Sequence, residues 1–331
     1  MKKLINDPGA VVADALRGAA AVHGDTMVVH RDPDFVCRTD SPVNGKVALV
    51  SGGGSGHEPL HTGFVGPGML DAAIPGAIFT SPSATQIHDA AAAVATDAGV
   101  LFIVKNYTGD RLNFTMAADL LAASGVPTEI VVVDDDVAVE DSTHTAGRRG
   151  TGATVFVEKI AGAAAEAGAS LEEVARIATK VNERARSMGL ALTSATVPHV
   201  GSPNFELSDT EVEMGVGIHG EPGRRRVPLE DASSLVNTLA EAVAEDLPFA
   251  SGDRVLAMTN GLGGTPLIEL YVVAGVLADF CADRDISIER HLVGSYVTSL
   301  EMAGCTITLV NADEELLELW DAPVSTPALR W

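Results

Sequence analysis

Through the first half of the chain, short apolar runs alternate with longer alanine-rich stretches. Residues 46–51, 100–105 and 129–133 are rich in apolar residues without alternation, the pattern of strands buried on both faces. Between them, residues 83–98 and 113–124 have helical length and composition. Strand–helix–strand repetition predicts a parallel sheet with right-handed crossovers. Residues 152–168 and 170–187 then read as two consecutive helices, the second opened by the Ser-x-x-Glu capping box Ser170-Leu171-Glu172-Glu173. A second series follows, with strands at 212–219, 254–260, 287–293 and 306–311 and helices at 228–246 and 268–282. The halves meet near 187–200. The expected fold is therefore α/β, with two α/β domains at 1–187 and 188–331, each a largely parallel or mixed sheet flanked by helices.

Composition narrows the function classes. The chain has 331 residues, 46% hydrophobic and 20% charged, enough for two packed cores. Its net charge of −23 offers no basic stripe to nucleic acid or an anionic membrane. Acidity this diffuse, with 6 lysines against 16 arginines, fits a salt-adapted surface or an ordinary acidic protein from a GC-rich genome. Cys37, Cys281 and Cys305 are far apart and form no CxxC pair, which fits a reducing compartment. The opening Met1-Lys2-Lys3-Leu4-Ile5-Asn6-Asp7-Pro8 lacks the apolar run of a signal peptide. A cytoplasmic protein is expected.

The densest chemical signal is Ser51-Gly52-Gly53-Gly54-Ser55-Gly56-His57-Glu58-Pro59, directly after a buried strand. Glycines there let backbone N–H groups come close to a ligand. The P-loop, dinucleotide and hydrolase-elbow templates each fail, the first for want of lysine and the other two because His57 replaces a glycine. His57-Glu58-Pro59-Leu60-His61 does satisfy H-E-x-x-H, the helical zinc motif. Pro59 disfavours a helix through His57, and no third ligand follows nearby. No metal site is expected on this chain.

Three further stretches could carry chemistry. Lys105-Asn106-Tyr107-Thr108-Gly109-Asp110 ends a buried strand, where polar groups face the ligand crevice. Asp110 there is either a general base or the cap of the next helix. Met214-Gly215-Val216-Gly217-Ile218-His219-Gly220-Glu221-Pro222-Gly223 leaves one histidine among small residues, open to nucleophilic or proton-transfer work or simply sitting in a turn. Arg224-Arg225-Arg226 beside it could hold phosphate or pair with acidic neighbours. Weaker signals are Asp134-Asp135-Asp136 (Mg²⁺ or a polar strand end), the helix start at 147–152 (an anion or a plain cap) and the loop at 260–266.

Taken together and in this order, these stretches resemble the dihydroxyacetone-binding K subunits of the dihydroxyacetone kinases. The likeness runs from Met1-Lys2-Lys3-Leu4-Ile5-Asn6 to Thr326-Pro327-Ala328-Leu329, through landmarks at 52–59, 105–110, 134–137, 146–150, 215–223 and 263–271. The resemblance implies that His219 adds through a ring nitrogen to the ketone carbonyl, giving a covalent hemiaminal. It implies that Asp110 takes the proton of the hydroxyl that accepts phosphate and that His57 assists adduct formation. It implies substrate contacts from Gly54 and Lys105, with Gly53 and Ser55 beside them. A histidine adduct selects against glycerol by chemistry, because glycerol has no carbonyl.

No nucleotide loop is legible in this chain. The resemblance therefore implies that ADP or ATP with Mg²⁺ sits on a separate L subunit, rephosphorylated indirectly by a multiphosphoryl donor fed from phosphoenolpyruvate. It also implies a homodimer. Two rivals remain open at this level: a regulatory paralogue that binds dihydroxyacetone without catalysis, and a kinase subunit for a related small ketose.

Overall fold

The computed structural model describes residues 2–139 and 146–331; Met1, the first residue of the opening landmark, lies outside them. The first half holds α1 (Val11–His23), β1 (Met27–His30), β2 (Phe35–Arg38), β3 (Ala48–Ser55), β4 (Ala72–Ile78), α2 (Ala84–Val94), β5 (Val100–Lys105), α3 (Thr108–Ala123) and β6 (Thr128–Val133). Its six strands lie in the order β1-β2-β4-β3-β5-β6. The four from β4 to β6 are parallel, and β1 and β2 add an antiparallel edge. The chain leaves β3 toward β4 on one side and leaves β5 toward β6 on the other. That reversal opens a crevice at the carboxyl ends of β3 and β5, where open α/β sheets bind ligands.

Two long helices follow, α4 (Ala153–Glu166) and α5 (Leu171–Glu183). Every residue of α4 from Ala153 to Ala165 is buried. A helix buried on all sides needs partners on all sides, and α4 finds them in a core shared by both halves. Its Phe156 and Ile160 cluster with Leu49 and Ile103 of the first sheet and with Leu256, Met258 and Val310 of the second.

The second half contributes β7 (Ala185–Ala191), β8 (Glu211–Met214), β9 (Arg225–Pro228), α6 (Ala232–Asp246), β10 (Arg254–Gly261), α7 (Leu267–Ala282), β11 (Ser287–Gly294), β12 (Gly304–Asn311) and α8 (Glu314–Asp321). These strands form a second six-stranded sheet, β11-β10-β12-β7-β8-β9, parallel only between β10 and β11. The α/β reading holds, with both sheets mixed.

Several expectations need correction. The helix expected over 170–187 ends at Glu183, and Ala185–Ala191 is a strand of the second sheet. A division after residue 187 would therefore cut β7 in two. Residues 212–219 are not one strand: β8 stops at Met214, and Gly215 turns the chain with φ +81°. The glycine run is not a loop at its start, since β3 continues through Gly52-Gly53-Gly54 to Ser55. Its ladder to β5 ends at Ser51, while β4 stays paired to Ser55. The glycine backbone thus turns one unpaired edge to the crevice. β4 itself escaped prediction because Pro75 and Gly76 break its strand pattern.

The weaker motifs prove architectural. Asp135 accepts hydrogen bonds from Thr151 N at 2.7 Å, Ala153 N at 2.9 Å, Thr151 Oγ1 at 2.9 Å and Ser187 Oγ. The anion expected at the start of α4 is this carboxylate. Asp136 pairs with Arg149, and Asp134 with Asn182. Asn260 accepts from Tyr296 N and Val297 N and donates to Val297 O, shaping the loop after β11. Arg224 donates to the carbonyls of Val137 and Ala138, and Arg226 pairs with Glu213.

Asp135→Ala strands these buried donors, and we expect it to cost about 3 kcal/mol of stability. Urea unfolding should show a lower midpoint with an unchanged slope.

Candidate active site

The crevice gathers side chains from both halves of the chain. His57 comes from the turn after β3, Phe79 from the end of β4, Lys105 from the end of β5, Tyr107 and Asp110 from the start of α3, and His219 and Glu221 from the loop after β8. The His57 and His219 rings meet edge to face, 4.8 Å between centroids. Phe79 stacks on His57 at 5.0 Å and meets His219 edge-on at 5.3 Å; Tyr107 meets His219 edge-on at 4.5 Å.

Both histidines are tied back by Nδ1. His57 Nδ1 lies 2.7 Å from Thr298 O, an atom that can only accept, so Nδ1 carries the proton and Nε2 the lone pair. That Nε2 is buried without a partner among the described residues. His219 Nδ1 lies 2.8 Å from Glu221 Oε1, and its backbone N–H donates to Glu221 Oε2 at 3.0 Å. A neutral His219 is therefore a donor at Nδ1 and a nucleophile at Nε2.

Electrostatics agrees with the geometry. Burial, then the charges of His219 and Lys105, push His57 well below the ordinary histidine range, so it is neutral near pH 7. Burial pushes the Glu221 carboxyl up, but the His219 charge, the hydrogen bond to it and Arg149 outweigh that and hold it down at about 2. Glu221 stays ionised, so its Oε1 accepts the Nδ1–H of His219.

Two glycines make the arrangement possible. A Cβ on Gly53 would come within 2.6 Å of Lys105 Nζ and 3.4 Å of Asp110 Oδ2, so both polar groups stand over bare backbone. A Cβ on Gly217 would fall onto the Glu221 carboxylate. Phe79 holds a left-handed backbone, φ 54°, rare for a bulky residue and often retained at functional sites.

Asp110 is not the cap of its helix. The cap position is Tyr107, without a side-chain bond, and Asp110 lies in the first turn, 5% exposed. Its Oδ1 is buried without a partner among the described residues. Lys105 is fully buried and directed at His61 Nε2, 2.7 Å away.

Not every predicted residue presents its side chain. Ser55 Oγ donates to Gly76 O at 2.7 Å, bonding β3 to β4 rather than facing the crevice. Gly54 sits against Phe79 and Thr80, too close for a Cβ. The two histidines of H-E-x-x-H diverge: His57 turns to Thr298, and His61 to Lys105, Ser51 and Glu158. Only a short 3-10 turn, Thr62–Phe64, follows them. Glu221, Glu158, Phe79 and Thr298 were not singled out from sequence. Glu221 had a signal, its place two residues past His219 in the glycine-rich turn. Thr298 had none, being 241 positions from the ring it fixes.

Known proteins show the same build. Residues 17–328 match the family model described as the Dak1 domain. The chain is 49% identical to the phosphoenolpyruvate-dependent dihydroxyacetone kinase, dihydroxyacetone-binding subunit DhaK, of Escherichia coli, covering all of this chain and 99% of that one. It superposes with TM-score 0.92 on the dihydroxyacetone kinase of C. freundii in complex with AMP-PNP and Mg²⁺, at 34% identity. That match covers 99% of this chain but 61% of the longer kinase. It superposes with TM-score 0.90 on a dihydroxyacetone kinase operon co-activator, at 29% identity over 95% of this chain and 97% of that one. Sequence and fold agree across nearly the whole length, and the chain belongs to the Dak1 domain family.

Proposed function

We propose that this chain is the substrate-binding and catalytic subunit of a dihydroxyacetone kinase, active with a nucleotide-bearing partner subunit. The observation that carries this reading is the pair of imidazoles in edge contact, each bound through Nδ1, together with Asp110, whose Oδ1 is buried without a partner among the described residues. His219 Nε2 adds to the ketone carbon of dihydroxyacetone; an N–C bond forms and the carbonyl π pair moves to oxygen. The ring becomes an imidazolium whose Nδ1–H stays bonded to the Glu221 carboxylate. The new alkoxide takes one proton from solvent by way of His57 Nε2, so the adduct forms with net uptake of one proton. Asp110 then removes the proton of the terminal hydroxyl that accepts phosphate.

The phosphoryl group comes from ADP/ATP chemistry with Mg²⁺ on the partner L subunit, itself recharged by a multiphosphoryl donor. The crevice residues of this chain hold, orient and deprotonate the acceptor. A buried carboxylate oxygen without a partner is costly, and such groups are often kept where chemistry uses them. Asp110 therefore favours catalysis over the second reading, a regulator that binds dihydroxyacetone without turning it over, which the likeness to the co-activator supports. A larger ketose is a further option for the same site.

A homodimer belongs to this reading. Leu267, Ile268, Tyr271 and Val272 of α7 are all more than half exposed, an apolar face suited to a second copy. No described helix is long and apolar enough to cross a membrane.

With carbonyl-labelled dihydroxyacetone, carbon NMR should show the ketone signal replaced by a tetrahedral one, and His219→Ala should abolish it. An intact ketone signal in saturated wild type would sink covalent capture. Asp110→Asn should retain the adduct yet lower phosphorylation by about 10²–10⁴-fold in the reconstituted system; normal turnover would remove Asp110 as the base. Gly217→Ala drives a methyl group into the Glu221 carboxylate, and we expect adduct affinity to fall about tenfold or more, about 1.4 kcal/mol. Titrating the tetrahedral signal against substrate concentration measures it.

A further inference from the structure

The second histidine of the H-E-x-x-H string has no part in carbonyl capture, yet it is the centre of a buried chain of titratable groups. Glu158 of α4, His61 and Lys105 are 0%, 5% and 0% exposed. His61 Nδ1 lies 2.6 Å from Glu158 Oε1, and His61 Nε2 lies 2.7 Å from Lys105 Nζ. Ser51 Oγ lies 3.0 Å from the same Nδ1 and gives its own proton to Ile103 O. Among the described residues Lys105 makes no direct ion pair with a carboxylate, an unusual situation for a fully buried lysine.

We propose that Glu158 and His61 are positioning residues forming a closed proton relay that lets Lys105 switch between amine and ammonium without contact with solvent. In one state the Glu158 carboxylic acid donates to Nδ1, and Nε2–H donates to the lysine amine. In the other, one proton has left Glu158 for Nδ1 and another has left Nε2 for Nζ. That state pairs a carboxylate, a neutral imidazole of the opposite tautomer and an ammonium. Two N–H or O–H bonds break, two form, and the net charge is unchanged.

Burial draws the two ends together. It raises Glu158 to about 8, against the opposing charge of Lys105 and the Ser51 hydroxyl, and it lowers Lys105, against the charges of Asp110 and Glu158. The neutral state suits an empty crevice, because it leaves no buried charge in the relay. When negative charge develops on a substrate oxygen beside Gly53, the ammonium state supplies a charge-assisted hydrogen bond. The groups facing Lys105 Nζ are His61 and, through it, Glu158, then Asp110 from α3 and His57 from the turn after β3; Gly52 O lies 3.5 Å away.

This inference rests on the substrate reading above, and one experiment separates the two. The tetrahedral NMR signal of labelled dihydroxyacetone, and turnover with the partner subunit, are followed from pH 6 to 10 in wild type, Glu158→Gln, Lys105→Met and the double variant. Absence of any adduct in wild type overturns the substrate reading. Glu158→Gln removes the acid, and burial then holds Lys105 as the amine. We expect kcat to fall about 10²-fold and its alkaline limb to move to lower pH, because the ammonium is lost earlier. In the Lys105→Met background, Glu158→Gln should change neither. An unshifted alkaline limb in Glu158→Gln, or an equal effect with and without Lys105, overturns the relay. His61→Gln breaks the same chain at its centre and gives the same two outcomes should Glu158→Gln fail to fold.

Discussion

A neutral imidazole has one donor and one acceptor nitrogen, and chemistry at one of them needs the other fixed. Here that constraint is met twice, by Thr298 O on His57 and by the Glu221 carboxylate on His219. Both acceptors sit on the second half of the chain, while His57 sits on the first. The tautomer of a first-half histidine is thus set by a second-half carbonyl, and the crevice exists only when the halves are packed together. The shared core around α4 does that packing.

The rest of the site follows from making room for those two bonds. Gly217 lets Glu221 fold back under His219, and Gly53 leaves bare backbone beneath Lys105 and Asp110. Asn260 clamps residues 296 and 297, so that Thr298 arrives over His57. Phe79, in its left-handed conformation, walls the two rings from one side and Tyr107 from another. Apolar walls lower the local dielectric, which strengthens each hydrogen bond within and keeps His57 uncharged.

Much of this was legible in the chain because its signals are local. Residues 100–105 are apolar on both faces and form a central strand, and the two glycine-rich stretches mark where backbone must come close to other groups. His57 and His219 fall in those two stretches, Lys105 and Asp110 at the end of that strand and just beyond it, and the structure brings them to one crevice. Other features were not legible because they depend on distant partners. Pro75 and Gly76 hide a strand that is held by its neighbours, and Ser55 looked like a ligand group until β4 supplied its acceptor. The boundary between α5 and β7 was blurred because residues 184–187 carry no proline or glycine to mark it. Glu158 reads as one more polar position on a helix until the fold places it under His61.

The central claim is that both crevice histidines are tied back through Nδ1, His57 by Thr298 O and His219 by Glu221, so that each Nε2 is turned to the chemistry. Nitrogen-15 NMR of the ring-labelled protein near pH 7 tests it most directly. The account predicts a protonated Nδ1 on both rings and a bare Nε2 on His57, and that dihydroxyacetone changes the His219 Nε2 signal to that of an alkylated nitrogen. A protonated Nε2 on His57 in the free protein, or a His219 signal that substrate leaves unchanged, would contradict it.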